Sequence, residues 1–201
     1  MRRAILGLFA TTSLLASNLS LSAGNSGKDI DWTTHGRTGD EQRFTPLDQI
    51  NAENVSQLGL AWYTDIADKG GYQSTPLVVD GKLYLTGPWS KVFAFDAKTG
   101  KQLWKFDPQV PRDLAATSIC CNISNRGAAY WKGKIIVGTI DGRLVALDAK
   151  SGKKAWDVQV TDRSMPYSIT GAPRIGNGKS AVERLFKASR ETGQIKLTFF
   201  P

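Results

Sequence analysis

The chain has 201 residues and a formal net charge of +8, with two cysteines and a single histidine. Arg2 and Arg3 carry two of those charges and the stretch from Arg174 onward a further four, which leaves the middle almost neutral and without a basic, aromatic-interleaved stripe, so nucleic-acid binding is excluded. No zinc-type Cys/His spacing, no Cys-x-x-Cys-His and no glycine-rich phosphate cradle occurs, which excludes structural zinc, covalent haem attachment and nucleotide binding.

Met1-Arg2-Arg3 leads into an apolar run from Ala4 to Ala16 and then to small residues at Ser20, Ser22 and Ala23. A basic start, a short apolar core and a small-x-small exit predict a secretory signal peptide over residues 1–23 and a periplasmic location. The alternative is an interfacial helix that stays in place. The run is too short to cross a bilayer as a helix and no later segment is long enough, so no transmembrane segment is expected. His35, the lone histidine, falls in a polar stretch and reads as a solvated residue.

Two segments then align without a gap at a spacing of 52 residues, one ending at Trp104 and the other at Trp156, and a partial copy ends at Ala61-Trp62. In each, an apolar run (Leu77 to Val79, Tyr130 to Trp131) meets Asp80-Gly81 or Lys132-Gly133, a tight hairpin needing positive φ. Further strands follow at Leu83 to Leu85 and Val92 to Phe95, or Ile135 to Val137 and Leu144 to Leu147. The string Asp-Ala-Lys-Thr/Ser-Gly-Lys is turn chemistry, in which the Asp bonds nearby backbone and the Gly takes the left-handed position. The tryptophan opens the last strand and fills the gap against a neighbouring unit. Four short strands per repeat point to all-β propeller blades, which must stack to bury both faces. Residues 24–179 are expected to form an incomplete β-propeller domain.

Between the copies stand Cys120 and Cys121, the only cysteines in the chain. In an oxidising compartment they can close one bridge between sequence neighbours. Adjacent Cα atoms lie about 3.8 Å apart, below the usual disulfide range of about 4.4–6.8 Å, so such a ring is strained, and strain of this kind is kept at functional sites. Two adjacent buried free thiols are the alternative.

From Ser180 the character changes. Ser180 to Arg190 has mild helical spacing, and Thr192-Gly193 echoes the blade turn without its Asp or Trp. Residues 180–201 are therefore expected to be a divergent tail, from a shifted reading frame or a truncated gene, or else a genuine tail docked on the blades.

The pattern Ala-x-Asp-x-x-Thr/Ser-Gly-x-x-x-Trp resembles the tryptophan docking motif of the pyrroloquinoline quinone (PQQ)-dependent alcohol dehydrogenases. The likeness starts at Trp32-Thr-Thr-His-Gly36 and Arg43-Phe-Thr-Pro-Leu47. It continues through Gly71-Tyr-Gln-Ser-Thr-Pro76, Cys120-Cys-Asn-Ile-Ser-Asn-Arg-Gly127 and Ser168-Ile-Thr-Gly-Ala-Pro-Arg174. It implies the N-terminal blades of an eight-bladed quinoprotein propeller, with Cys120 and Cys121 forming a vicinal disulfide against one face of PQQ. Arg126 matches the arginine that contacts the cofactor's acidic groups, a task suited to a permanently charged, planar donor. Thr170 matches a hydroxyl that bonds a cofactor carboxylate, and Gln73 stands where an acidic residue is often found.

The resemblance further implies oxidation of small alcohols by hydride transfer to PQQ, calcium as a Lewis acid, and an electron acceptor such as cytochrome c. The family's calcium glutamate, its asparagine partner and its catalytic aspartate lie beyond the point where this chain departs. No catalytic or metal residue is therefore assigned, and the chain is expected to be inactive alone. The competing reading is a non-catalytic propeller scaffold for protein binding in the cell envelope. A strained cysteine pair with Arg126 and Thr170 argues against that scaffold.

Overall fold

Apolar runs separated by turn chemistry build two four-stranded antiparallel sheets of the same design. The first has the order β1 (Leu77–Val79), β2 (Lys82–Thr86), β3 (Val92–Asp96), β4 (Gln102–Phe106). The second follows with β5 (Ala128–Trp131), β6 (Lys134–Gly138), β7 (Arg143–Asp148) and β8 (Lys154–Gln159). A bulge interrupts the third and fourth strands between Ala94 and Phe95 in one sheet and between Ala146 and Leu147 in the other, at equivalent repeat positions. This computed structural model describes residues 31–114, 122–176, 179–183, 185–186 and 197–200; the signal peptide expected over residues 1–23 lies outside them.

The two sheets pack face to face. Leu77, Val79, Tyr84, Val92 and Ala94 of the first meet Ile135, Val137, Val145 and Leu147 of the second. The opposite face of the second sheet, carrying Ile136, Leu144 and Ala146, is covered by Val160, Ile169 and Ile175. With both faces covered, β7 is buried at four successive residues instead of alternating. The first strands β1 and β5 are neighbours, as are β5 and β10 (Arg174–Gly176), the start of a third sheet. First strands side by side, with each sheet stacked on the next, are the arrangement of propeller blades.

Two of the repeat tryptophans, Trp62 and Trp104, dock on the following blade. Trp62 Nε1 donates to the Ala97 carbonyl at 3.0 Å, and Trp104 Nε1 donates to the Ala149 carbonyl at 3.2 Å. The rings press against Gly100 and Gly152, where a Cβ would sit 2.4 and 2.6 Å from ring atoms of Trp62 and Trp104. Both glycines also have left-handed φ, of 72° and 70°. The preceding turns are set by Asp96, which accepts N–H bonds from Lys98 and Thr99, and by Asp148, which accepts from Ser151. The Thr99 and Ser151 hydroxyls, then these N–H groups, hold the two carboxyls below the ordinary carboxylate range.

Two sequence expectations need correction. Trp104 and Trp156 occupy the third position of β4 and β8, not the first, because the glycine-lysine turn continues into the strand before the ring can reach the next blade. Within the stretch with helical spacing, the described residues are strand instead: β11 (Lys179–Glu183) pairs with β10 and with β13 (Leu197–Phe200), while β12 (Leu185–Phe186) pairs with β9 (Tyr167–Ser168). An open sheet edge offers that segment backbone partners, and they outweigh a weak helical period. Among the described residues no helix is long and apolar enough to cross a membrane.

Candidate functional site

Strand direction alternates within each sheet, so the starts of β1 and β5 share one end of the molecule with the turns 87–91 and 139–142 and with the connections that follow β4 and β8. The docking turns lie at the opposite end. At the first end a rung of backbone bonds crosses three successive units. Thr75 N–H donates to the Arg126 carbonyl at 3.2 Å, and Arg126 N–H donates to the Thr170 carbonyl at 2.8 Å.

The rung brings side chains together as well. Arg126 Nη1 donates to Thr170 Oγ1 at 2.6 Å. Thr170 is fully buried, whereas Arg126 is exposed. Among the described residues no carboxylate lies within ion-pair distance of Arg126. An uncompensated guanidinium, anchored by one nitrogen and open at the others, has the donor geometry that can receive an anion in a fork. Gln73 is exposed and precedes the Thr75–Gly127 bridge by two residues, so it stands at the same end. The hydroxyls of Ser124 and Ser168, each two residues before Arg126 and Thr170, are buried with no hydrogen-bond partner among the described residues. Cys120 and Cys121 lie outside the described residues. Among the described residues no cluster of three or more metal-ligating side chains occurs.

A cavity of about 240 Å³ opens at this end between residues 111–114 and 161–167, lined in part by Asp113, Leu114, Met165 and Tyr167. It contains neither Arg126 nor Thr170, and the guanidinium–hydroxyl pair is the better guide to the chemistry because it supplies charge and donors together.

His35 is not solvated as its sequence context implies. It is half-buried, with Nδ1 2.8 Å from Thr75 Oγ1, so it braces the residue whose N–H begins the rung. Burial first, then the positive charges of Arg43 and Arg174, push its pKa below the ordinary histidine value. A lowered folded pKa makes the neutral form part of the folded state, so stability is full above about pH 6.5 and falls as pH drops through the folded value. The aspartates with lowered pKa, Asp68, Asp96, Asp148 and Asp162, act only below their ordinary value of 3.8. Thermal melts between pH 7.5 and 5 should therefore show a falling midpoint that flattens in His35→Gln. A slope identical in both proteins would contradict this.

Sequence reasoning missed Asn125 and Ser90, which are both buried and bonded to each other beside Arg126. A comparison of Ser90 with its repeat equivalent, Gly142, carries the sequence signal for Ser90, and Asn125 is marked only by its place beside Arg126 in the cysteine motif.

Residues 32–158 match the family model for the PQQ glucose/ethanol/alcohol dehydrogenase β-propeller domain. The chain is 56% identical over 149 residues to the quinohemoprotein alcohol dehydrogenase ADH IIB of Pseudomonas putida, covering 74% of this chain and 21% of that protein. It is 44% identical over 182 residues to the 1-butanol dehydrogenase (cytochrome c) of Thauera butanivorans, covering 90% and 25%. Among solved structures it is similar to the quinohemoprotein alcohol dehydrogenase ADHIIG of Pseudomonas putida HK5, with a TM-score of 0.74 and 49% identity over 79% of this chain and 24% of that one. The Comamonas testosteroni quinohemoprotein alcohol dehydrogenase gives 0.73 and 41%, over 84% and 27%. The chain spans between 21% and 31% of the length of these and other curated relatives.

Proposed function

The chain belongs to the PQQ glucose/ethanol/alcohol dehydrogenase β-propeller family, and from that membership we propose that it is the N-terminal portion of a periplasmic alcohol dehydrogenase and forms one wall of the PQQ site. The observation that carries this reading is Arg126, uncompensated by any carboxylate among the described residues and held by the buried Thr170 hydroxyl. That donor set fits an aromatic cofactor edged with carboxylates. Bound PQQ supplies the hydride acceptor for alcohol oxidation. Arg126 would hold and orient a cofactor carboxylate, Thr170 fixes the guanidinium and would donate its O–H to that carboxylate, and Gln73 would supply neutral donors and an acceptor at the same end. By the family resemblance, a Cys120–Cys121 disulfide would pack against one face of PQQ.

The relatives' names support a small alcohol as substrate and cytochrome c as electron acceptor of the whole enzyme. Calcium belongs to that enzyme, and no residue here is assigned to it. No general base is assigned among the described residues, and on this reading the chain binds PQQ without turnover of its own. No observation favours the scaffold reading, which has no use for an uncompensated arginine on the inner-strand rung.

Titrating PQQ into the full chain while following tryptophan fluorescence tests this directly. Saturable quenching, unchanged by a chelator and unaccompanied by alcohol-dependent dye reduction, is expected. Absence of quenching, or binding that requires calcium, would contradict it.

A further inference from the structure

Blade-equivalent positions differ in an informative way at the turn between the second and third strands. Gly142 in the second blade has φ of 79°, and a Cβ there would strike Thr161 Oγ1 at 1.8 Å. The position 52 residues earlier is Ser90, with φ of 57°, next to Trp89 at 61°. Two successive non-glycine residues in the left-handed region are costly and persist where the surroundings hold them. The first blade thus keeps a side chain where its own repeat uses glycine.

That side chain has a defined task. Ser90 is fully buried, and its Oγ accepts from Asn125 Nδ2 at 3.2 Å and from the Ile140 N–H at 3.2 Å. Asn125, also fully buried, donates a second Nδ2 hydrogen to the Gly138 carbonyl at 2.8 Å and accepts the Gly127 N–H on Oδ1 at 3.0 Å. A backbone N–H and a backbone carbonyl at opposite ends of the amide fix its orientation without ambiguity. The Trp89 N–H adds a bond to the Ile123 carbonyl at 2.9 Å, so the strained turn grips the 123–127 segment at two points. Asn125 and Gly127 flank Arg126 on both sides.

We propose that Asn125 and Ser90 are positioning residues for Arg126. The buried amide is clamped between blade one (Ser90) and blade two (Gly138), and this fixes the backbone on either side of the arginine so that its guanidinium meets Thr170 and an incoming carboxylate in one geometry. This rests on the PQQ reading for the identity of that carboxylate, but not for the clamp. Neither residue touches the cofactor; both act through Arg126.

Ser90→Gly in the full chain is the discriminating variant, because glycine relieves the left-handed strain while removing the hydroxyl. Its melting temperature should stay within about 3 °C of the parent, while the dissociation constant for PQQ rises roughly three- to tenfold. Asn125→Ala should weaken PQQ binding further, with a loss of melting temperature. A ligand-free readout accompanies these: the side-chain ¹⁵N signals of Arg126, assigned by their loss in Arg126→Lys, should show hindered rotation in the parent and averaging in Ser90→Gly. Unchanged affinity together with unchanged Arg126 signals in Ser90→Gly would overturn the proposal. If the parent binds no PQQ, the cofactor reading fails, and the nitrogen signals alone decide: averaging sustains the clamp and identity with the parent overturns it.

Discussion

Trp104→Ala is expected to remove about 3–5 kcal/mol of stability, measured as the shift in a urea unfolding midpoint at constant slope. The ring is the contact by which the first blade grips the second, and its Nε1 bond to the Ala149 carbonyl goes with it. Domains of this size have about 5–15 kcal/mol in total, so the variant sits near the edge of folding. Gly152→Ala should have a comparable effect without touching the tryptophan, since its Cβ would press on the ring at 2.6 Å from a left-handed backbone. Because both act on one contact, their combination should lose less than the two losses added. Trp131, more than a third exposed, serves as the control and should cost under about 1 kcal/mol when replaced by alanine. A Trp104→Ala loss no larger than the control would mean that the docking contact does not hold the blades together.

Arg126→Ala should weaken PQQ binding by roughly 10- to 100-fold, the worth of about 1.5–3 kcal/mol for hydrogen bonds to a charged group. Arg126→Lys should recover only part of that, because an ammonium keeps the charge but not the planar fork that reaches Thr170 and a carboxylate together. Stability should change little in either, as the guanidinium is exposed. Equal affinities in the parent and Arg126→Ala would remove Arg126 from the site.

The blades were legible because their determinants are local. Asp80-Gly81, Lys132-Gly133 and the Asp96 and Asp148 turns announce themselves by residue type, and all take the positive φ or side-chain bonds that the types predict. The pairing of Arg126 with Thr170 was legible only through the motifs on either side, since 44 residues separate them and no spacing rule joins them. The clamp was not legible, because left-handed backbone at Ser90 leaves no mark in the sequence except its alignment with Gly142. His35 was misjudged because its polar neighbours said nothing of Thr75, which lies 40 residues away and supplies its hydrogen-bond partner. Residues 179–183 and 185–186 were misjudged for a related reason: their strand pairing follows from the sheet edges they meet, not from their own period.

The most direct test of the central claim is a double-mutant cycle between Arg126 and the cofactor's carboxylates. PQQ and its carboxylate trimethyl ester are each titrated into the parent chain and into Arg126→Ala. Esterification should cost the parent roughly 10- to 100-fold in affinity and cost Arg126→Ala almost nothing, because the group that reads the charge is already gone. An equal penalty in both proteins would show that Arg126 does not receive a carboxylate and would contradict the assignment of this rung as a wall of the cofactor site.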